Sequence, residues 1–156
     1  GIIPSMETIA TLQVNTVDTT TLDWVPLAPG LSFKPLKFFE CDVGYQLLLR
    51  LEPGTVIPPH RHTGEVHAFN LSGTRRIITT GEVIGPSTYV YEPVGNHDTW
   101  EAIGNQPCVV HIEANGRVEY LDADGNVQRH TDAATARSDY LGWCAEQGID
   151  PLPQLS

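Results

Sequence analysis

Glycine and proline punctuate this chain at short intervals, and this limits its fold more than any other feature. Turn signals at Ala28-Pro29-Gly30, Pro53-Gly54, Gly85-Pro86 and Pro93-Val-Gly95 separate runs rich in β-branched and aromatic residues. About eight to ten short strands are expected, at a spacing of roughly 8–12 residues. The pattern predicts an all-β sandwich or small barrel over residues 31–130.

One segment has the marks of a helix. Residues 132–147 can be capped by Thr131 or Asp132 and ended by Gly148. Its more apolar face is expected to pack on the outside of the barrel. Residues 1–30 are predicted to form an irregular arm, so that residues 1–156 make a single domain. The packing face of the helix comprises Ala136, Tyr140, Trp143, Cys144 and Gln147.

Two hairpins are predicted from strand and turn signals. Val66–Leu71 is expected to turn at Gly73 and to pair with Thr74–Thr80. Residues 117–122 are expected to pair with residues 127–130 across an Asp-Gly-Asn turn.

Composition excludes several classes of protein. A chain of 156 residues with 40% hydrophobic residues can build a core without a structural metal. A net charge of −10 argues against nucleic acid or an anionic membrane as a partner. Three cysteines without a CxxC pair predict free thiols in a reducing compartment. Because neither a signal peptide nor a long apolar run is visible, a cytoplasmic protein is expected.

The richest segment for function runs from Gly54 to His67. His60 and His62 are two residues apart, so both imidazoles face the same side if the segment is a strand. A further histidine, His97, follows the turn at Pro93-Val-Gly95. Imidazoles that share a face form part of a first-row metal site. The alternative is a set of solvated or core histidines.

The spacing of these residues resembles the two motifs of the cupin superfamily. Gly54, five residues, His60, one residue, His62 and then Gly73 match the first motif, and the Pro-x-Gly-x-His97 segment resembles the second. The resemblance implies a double-stranded β-helix, or jelly-roll barrel, with a C-terminal helix. It also implies one metal ion inside the barrel, held by His60, His62 and His97.

Two departures from these motifs concern the ligands. In the first motif, the family has a glutamate that is separated from the second histidine by four residues; here the position separated from His62 by four residues is His67. In the second motif, the spacing between the glycine and His97 is one residue shorter than in the family. His67 is therefore predicted as a fourth ligand, as a donor or base beside the metal, or as a core histidine. Glu65 is a second candidate for a catalytic role, with a solvated turn residue as the alternative.

The neighbouring polar residues are expected at the surface. Arg75 and Arg76 could bind an anionic substrate, although paired surface arginines are the preferred interpretation. Asp98 and Glu101 follow His97 and are interpreted as surface carboxylates.

A finer resemblance covers the His60–Gly73 segment and the tail from Tyr120 to the aromatic helix. These segments resemble 2,4′-dihydroxyacetophenone dioxygenases, acetylacetone-cleaving dioxygenases and the cupin domain of ChrR-type anti-sigma factors. The resemblance implies iron(II), with zinc, nickel or manganese as other occupants of an imidazole site. It implies a small-molecule substrate, O2 and a homodimer or homotetramer.

Three functions are consistent with these patterns. The leading hypothesis is a mononuclear non-haem iron(II) dioxygenase that cleaves a carbon–carbon bond of a hydroxyketone or β-diketone. The alternative is a zinc-binding sensor or regulatory domain of the anti-sigma type, for which the residues before the barrel lack the expected helical periodicity. A metal-dependent sugar isomerase is the third, and it would need the glutamate that His67 replaces.

Overall fold

The computed structural model describes residues 14–156, which form twelve strands, one α-helix and three short 3-10 helices. The 3-10 helices span Thr19–Thr21, Glu40–Asp42 and Pro153–Leu155, and the α-helix, α1, spans Ala133–Gln147. The strands are β1 Val25–Ala28, β2 Leu31–Phe38, β3 Gly44–Leu51, β4 Val56–His62, β5 Val66–Ser72, β6 Thr74–Ile77, β7 Val83–Ile84, β8 Tyr89–Glu92, β9 His97–Ile103, β10 Cys108–Asn115, β11 Val118–Leu121 and β12 Val127–Thr131.

The strands form two six-stranded antiparallel sheets. One sheet has the order β1-β2-β3-β10-β5-β8, and the other has the order β12-β11-β4-β9-β6-β7. From β3 to β11 successive strands alternate between the sheets, except that β6 and β7 pair in the same sheet, as in a jelly roll. The predicted all-β fold with a C-terminal helix is confirmed.

The core lies between the inner faces of the two sheets. Alternate residues of the central strands point into it, and Phe33, Leu51 and Val110 are almost fully buried. A second part of the core lies under α1, where Ala136, Tyr140 and Cys144 are buried. Burial of these apolar side chains supplies the main driving force for folding.

The ends of α1 follow the predicted capping pattern. Asp132 accepts a hydrogen bond from the Thr135 amide and takes part in a capping box, and Gly148 ends the helix in the left-handed conformation. The predicted packing face is correct except at its C-terminal end, since Gln147 is exposed. The core side of the helix is therefore shorter than its periodicity indicated.

The predicted hairpin around Gly73 is wrong. β5 pairs with β10 and β8 in one sheet, whereas β6 pairs with β9 and β7 in the other. Gly73 has a φ of 71°, and a Cβ there would lie 2.2 Å from the Pro107 carbonyl oxygen. The chain thus turns a corner at Gly73 and leaves one sheet for the other. The second predicted hairpin, β11 with β12, is confirmed.

The predicted arm ends in a strand, because β1 pairs with β2 at the edge of the first sheet. Residues 1–13, which form the start of that arm, lie outside the described residues. All three cysteines fall within the described part of the chain and are free thiols, as predicted. Within residues 14–156, the structure contains no helix of the length and apolar character that a bilayer crossing requires.

An extra residue in β4 controls which way its histidines point. Ile57 lies opposite Trp100 and His60 lies opposite Asp98, so three steps along β4 match two steps along β9. This bulge at Pro58-Pro59 shifts the alternation by one residue. As a result Ile57, His60 and His62 all face the interior.

Candidate metal centre

Two imidazoles lie side by side inside the barrel. His60 and His62 are 3% and 6% exposed, and their ring centroids are 4.9 Å apart. His60 Nδ1 lies 2.8 Å from the Pro58 carbonyl oxygen. A carbonyl oxygen can only accept a hydrogen bond, so Nδ1 carries the proton and donates it. Nε2 of His60 therefore keeps its lone pair. A backbone carbonyl that orients a histidine in this way is typical of metal ligands.

His62 carries an unpartnered nitrogen. Its Nε2 lies 3.7 Å from Glu92 Oε1, whereas its Nδ1 is buried without a hydrogen-bond partner. Burial, and to a smaller extent the neighbouring His60, lower the pKa of His62 to about 3. Burial also lowers the pKa of His60. Both rings are therefore neutral at pH 7, which is the form that binds a metal.

Two buried carboxylates accompany the histidines. Asp98 is 6% exposed and lies directly opposite His60 in the β4–β9 pairing. Burial and the negative charge of Glu92 raise the pKa of Asp98 to about 6. Glu92, which is 9% exposed, accepts a hydrogen bond of 2.8 Å from Asn96 Nδ2. The prediction that Asp98 is a surface carboxylate is wrong.

A buried arginine faces the same cavity. Arg75 is 2% exposed, although the sequence favoured a surface position. Its Nε donates to Asn70 Oδ1 at 3.0 Å, and its guanidinium lies 4.6 Å from the centroid of the Trp100 ring. Its Nη2 is buried and has no partner. A buried cationic donor without a partner is costly, so this nitrogen is a site for an anionic or carbonyl oxygen of a ligand.

The structure does not bring His97 to this cluster. His97 is exposed and lies opposite Arg61, whose side chain also points away from the interior. On β9 the buried positions are Asp98, Trp100 and Ala102, and strand alternation then turns His97 outward. His97 therefore does not share the interior face of His60 and His62 in this structure, and the three-histidine ligand set stays a prediction.

His67 and Glu65 also lie outside the cavity. Val66 and Ala68 face the interior, so His67 points to the outer face of β5. There its Nδ1 lies 2.5 Å from the Tyr89 hydroxyl and its Nε2 lies 3.3 Å from Glu65 Oε1. Neither residue lines the cavity that His60 and His62 line, and their roles as ligand and catalytic group stay predictions.

Sequence reasoning did not consider Glu92, and it preferred surface positions for Asp98 and Arg75. A signal for Asp98 was present, because the apolar alternation of Trp100 and Ala102 has the same phase as Asp98. The short spacing of the second motif is a further signal for Asp98. If the spacing had the usual length, the ligand position would fall one residue after His97, which is Asp98. No local signal shows that Glu92 or Arg75 is buried, because both become buried only when the sheets pack together.

His60, His62, Arg75 and Glu92 line a cavity of about 100 Å³ within the barrel, and Asp98 is not part of its lining. Its other walls are mostly apolar, and low-polarity surroundings strengthen electrostatic interactions. The lining includes Leu47, Ile57, His60, His62, Val66, Ala68, Arg75, Glu92, Trp100, Ile112 and Tyr120.

The donor atoms suit a divalent first-row metal. Neutral imidazoles, carboxylates and the unpartnered Nδ1 of His62 are the ligand types that iron and zinc accept. Within residues 14–156, no three histidine, cysteine, aspartate or glutamate side chains stand close enough together to hold an ion as they are placed. An ion held by these residues would require at least one of the side chains to move from its present position.

Comparison with known proteins agrees with this architecture. The model of the ChrR cupin-like domain matches residues 12–119. An RmlC-like cupin protein from Ralstonia eutropha superposes with a TM-score of 0.87 at 25% identity, covering 95% of this chain and 97% of that one. No curated protein matches the chain.

Two further solved structures share the fold at lower identity. An acetylacetone dioxygenase from Acinetobacter johnsonii has a TM-score of 0.71 at 16% identity, covering 83% of this chain and 91% of that one. The anti-sigma factor ChrR, in complex with SigE of Rhodobacter sphaeroides, has a TM-score of 0.54 at 18% identity, covering 63% and 51%. With its family model matched over most of its length and its jelly-roll barrel, the chain belongs to the ChrR cupin-like domain family of cupins.

Proposed function

We propose that this protein is an iron(II)-dependent dioxygenase that cleaves a carbon–carbon bond of a small hydroxyketone or β-diketone. One observation carries the proposal. One cavity combines two neutral imidazoles, the Glu92 carboxylate and an unpartnered guanidinium nitrogen within largely apolar walls, and the buried Asp98 lies opposite His60 in the sheet. A site that only stores a metal needs no such cavity, whereas a site that binds a metal and a small polar substrate together does.

The ligands in this proposal are His60, His62 and Asp98. Two histidines and one carboxylate are a known ligand set of non-haem iron(II) oxygenases. Asp98 is chosen over Glu92 because it stands opposite His60 in the sheet. When bound, iron(II) supplies open positions where the ketone is acidified and brought together with O2.

The remaining polar groups act on the substrate. Arg75 offers its Nη2 to the oxygen that becomes negative when the ketone loses its acidic proton. Glu92 is the carboxylate left free once Asp98 binds the metal, and it accepts that proton. Each of the two products receives one oxygen atom of O2. A hydroxyacetophenone gives an aromatic acid and formate, and acetylacetone gives acetate and a 2-oxoaldehyde.

The test is oxygen uptake by protein reconstituted anaerobically with iron(II), with 2,4′-dihydroxyacetophenone and acetylacetone as parallel substrates. Uptake matched one to one by acid product supports the proposal. Arg75→Lys should lower kcat/KM by about tenfold or more, because the substrate oxygen loses its planar donor. Arg76→Lys is the matched control, since Arg76 is exposed and only bridges Glu101.

A zinc-binding sensor is the second candidate, and the match to the ChrR cupin-like family model favours it. It predicts a protein that retains one zinc ion tightly and consumes no oxygen with either substrate. That outcome would overturn the dioxygenase proposal.

A further inference from the structure

A second cavity lies beside the one that holds the imidazoles. It has a volume of about 340 Å³ and is lined mainly by residues of β1, β2, β3, β4, β11, β12 and α1. We propose that this cavity, called the outer cavity below, binds an α-amino acid with a large apolar side chain. The proposal goes beyond the dioxygenase activity, because His60, His62 and Arg75 do not line the outer cavity.

The wall of the outer cavity is mostly apolar. Phe33 and Ile57 belong to its buried part, whereas Leu27 and Val56 are 43% and 46% exposed. An apolar cavity of about 150 Å³ accommodates one benzene ring. The outer cavity is more than twice as large, so it has room for an apolar group of that size together with a polar head. Cavities of this size with few polar groups are the usual sites of small ligands.

A cation lies in this wall. The Arg129 guanidinium carbon lies 3.9 Å from the centroid of the Tyr120 ring, and both residues line the outer cavity. Among residues 14–156, no carboxylate oxygen lies within 4.0 Å of a nitrogen of Arg129. The ring occupies one face of the guanidinium, and the N–H groups in the guanidinium plane remain for a planar carboxylate.

A carboxylate lies in the same wall. Asp139 of α1 lines the outer cavity, and burial raises the pKa of its carboxyl above the usual value of 3.8. In the part of the chain that the structure describes, no basic side chain, Arg129 included, comes within 4.0 Å of this carboxylate. Asp139 is therefore partly removed from water without a protein cation to compensate its charge.

The two unmatched charges and the apolar wall together select a zwitterion with an apolar body. The carboxylate of an amino acid can accept hydrogen bonds from Arg129, and its ammonium group can donate to Asp139. The apolar side chain then covers the remaining wall and is itself removed from water. A ligand with a single charge would leave one of the two protein charges without a partner, which costs free energy.

The test compares three ligands that share one apolar body. L-Phenylalanine carries both charges, phenylpropanoate lacks the ammonium group and phenylethylamine lacks the carboxylate. Their dissociation constants are measured by calorimetry on the purified protein, with and without a chelator. L-Phenylalanine should bind with a dissociation constant of about 1 mM or lower, at least about tenfold more tightly than either analogue, and equally well with the chelator.

Two variants assign each ligand charge to its protein partner. Arg129→Gln should weaken L-phenylalanine binding by about tenfold or more and leave phenylethylamine binding unchanged. Asp139→Asn should weaken L-phenylalanine binding by a similar factor and leave phenylpropanoate binding unchanged. Arg76→Gln and Asp124→Asn are the matched controls, because both residues are exposed and line neither cavity. Circular dichroism confirms that each variant is folded.

The proposal is overturned if the protein does not bind L-phenylalanine or binds it no more tightly than the two analogues. It is also overturned if the chelator abolishes binding, since the ligand is then bound to the metal, or if the two variants behave like their controls. None of these outcomes depends on oxygen uptake, so failure of the dioxygenase proposal leaves this inference unaffected.

Discussion

Asp98 and His97 are neighbours on β9, yet their side chains lie in opposite environments. Asp98 is buried beside His60, whereas His97 is exposed beside Arg61. At the residue scale, the proposed chemistry therefore depends on which of two adjacent side chains, both of types that can bind a metal, faces the interior. The proposed ligand set contains Asp98 and excludes His97.

Replacing Asp98 and His97 one at a time should show which of the two residues completes the metal site. Asp98→Asn should lower metal affinity by about tenfold or more, because even indirect ligand contacts are worth that much. His97→Asn should leave the metal content unchanged. Metal stoichiometry after dialysis is the measurement, with circular dichroism to confirm folding. Loss of metal in His97→Asn with retention in Asp98→Asn would restore the three-histidine ligand set.

Acid should destabilise the metal-free protein through His62. Its pKa is about 3 in the folded state and about 6.5 when unfolded, so the unfolded chain binds more protons between these values. The stability due to neutral His62 is complete above pH 6.5 and is lost as the pH falls toward 3. As the pH falls through this window, the free energy of unfolding of the wild-type protein should decrease by up to about 1.4 kcal/mol per pH unit more than that of His62→Gln. The measurement is urea unfolding of both proteins at several pH values. The same pH dependence of the free energy of unfolding in both would exclude this effect.

At the scale of secondary-structure elements, Gly54 and Gly73 of the first motif are required to different degrees by the backbone around them. Both have positive φ, 86° at Gly54 and 71° at Gly73. A Cβ at Gly54 meets nothing within 4 Å, whereas a Cβ at Gly73 would lie 2.2 Å from the backbone of Pro107. The corner that carries the chain from β5 into β6 therefore requires glycine for two reasons.

The substitutions Gly54→Ala and Gly73→Ala should differ accordingly. Gly54→Ala is expected to cost about 1–2 kcal/mol, the usual penalty of a left-handed non-glycine residue. Gly73→Ala should cost a further 1–3 kcal/mol, because the Pro107 backbone must move away. Denaturant unfolding of both variants is the measurement. Equal costs would show that the corner relaxes freely.

At the scale of the whole molecule, the barrel should fold without its metal. The core includes Phe33, Leu51 and Val110 at 1% exposure or less and extends beneath α1. This apolar core does not depend on the imidazoles, so a metal ion adds stability only through binding.

Removal of metal by a chelator should therefore leave the far-ultraviolet circular dichroism unchanged and lower Tm. With free metal at a hundred times its dissociation constant, binding contributes about 2.7 kcal/mol. For a chain of this size, that corresponds to roughly 5–10 °C in Tm. Loss of secondary structure on chelation would instead identify the metal as part of the fold.

The sequence by itself determined the strands, their turns, the capped helix and the shared face of His60 and His62. These features depend on contacts between residues close in the chain, and turn chemistry, capping and alternation express them directly. The prediction of a hairpin at Gly73 failed because the sign of φ at one residue does not reveal which sheet the next strand joins.

Only the tertiary structure decided the composition of the site. Strand alternation shows that His97 and Asp98 face opposite sides, but the pairing of β9 with β4 decides which side becomes the interior. The burial of Arg75 and Glu92 likewise requires closure of the two sheets. The physical reason is that burial is a property of surfaces brought together from distant parts of the chain, so no local pattern contains it.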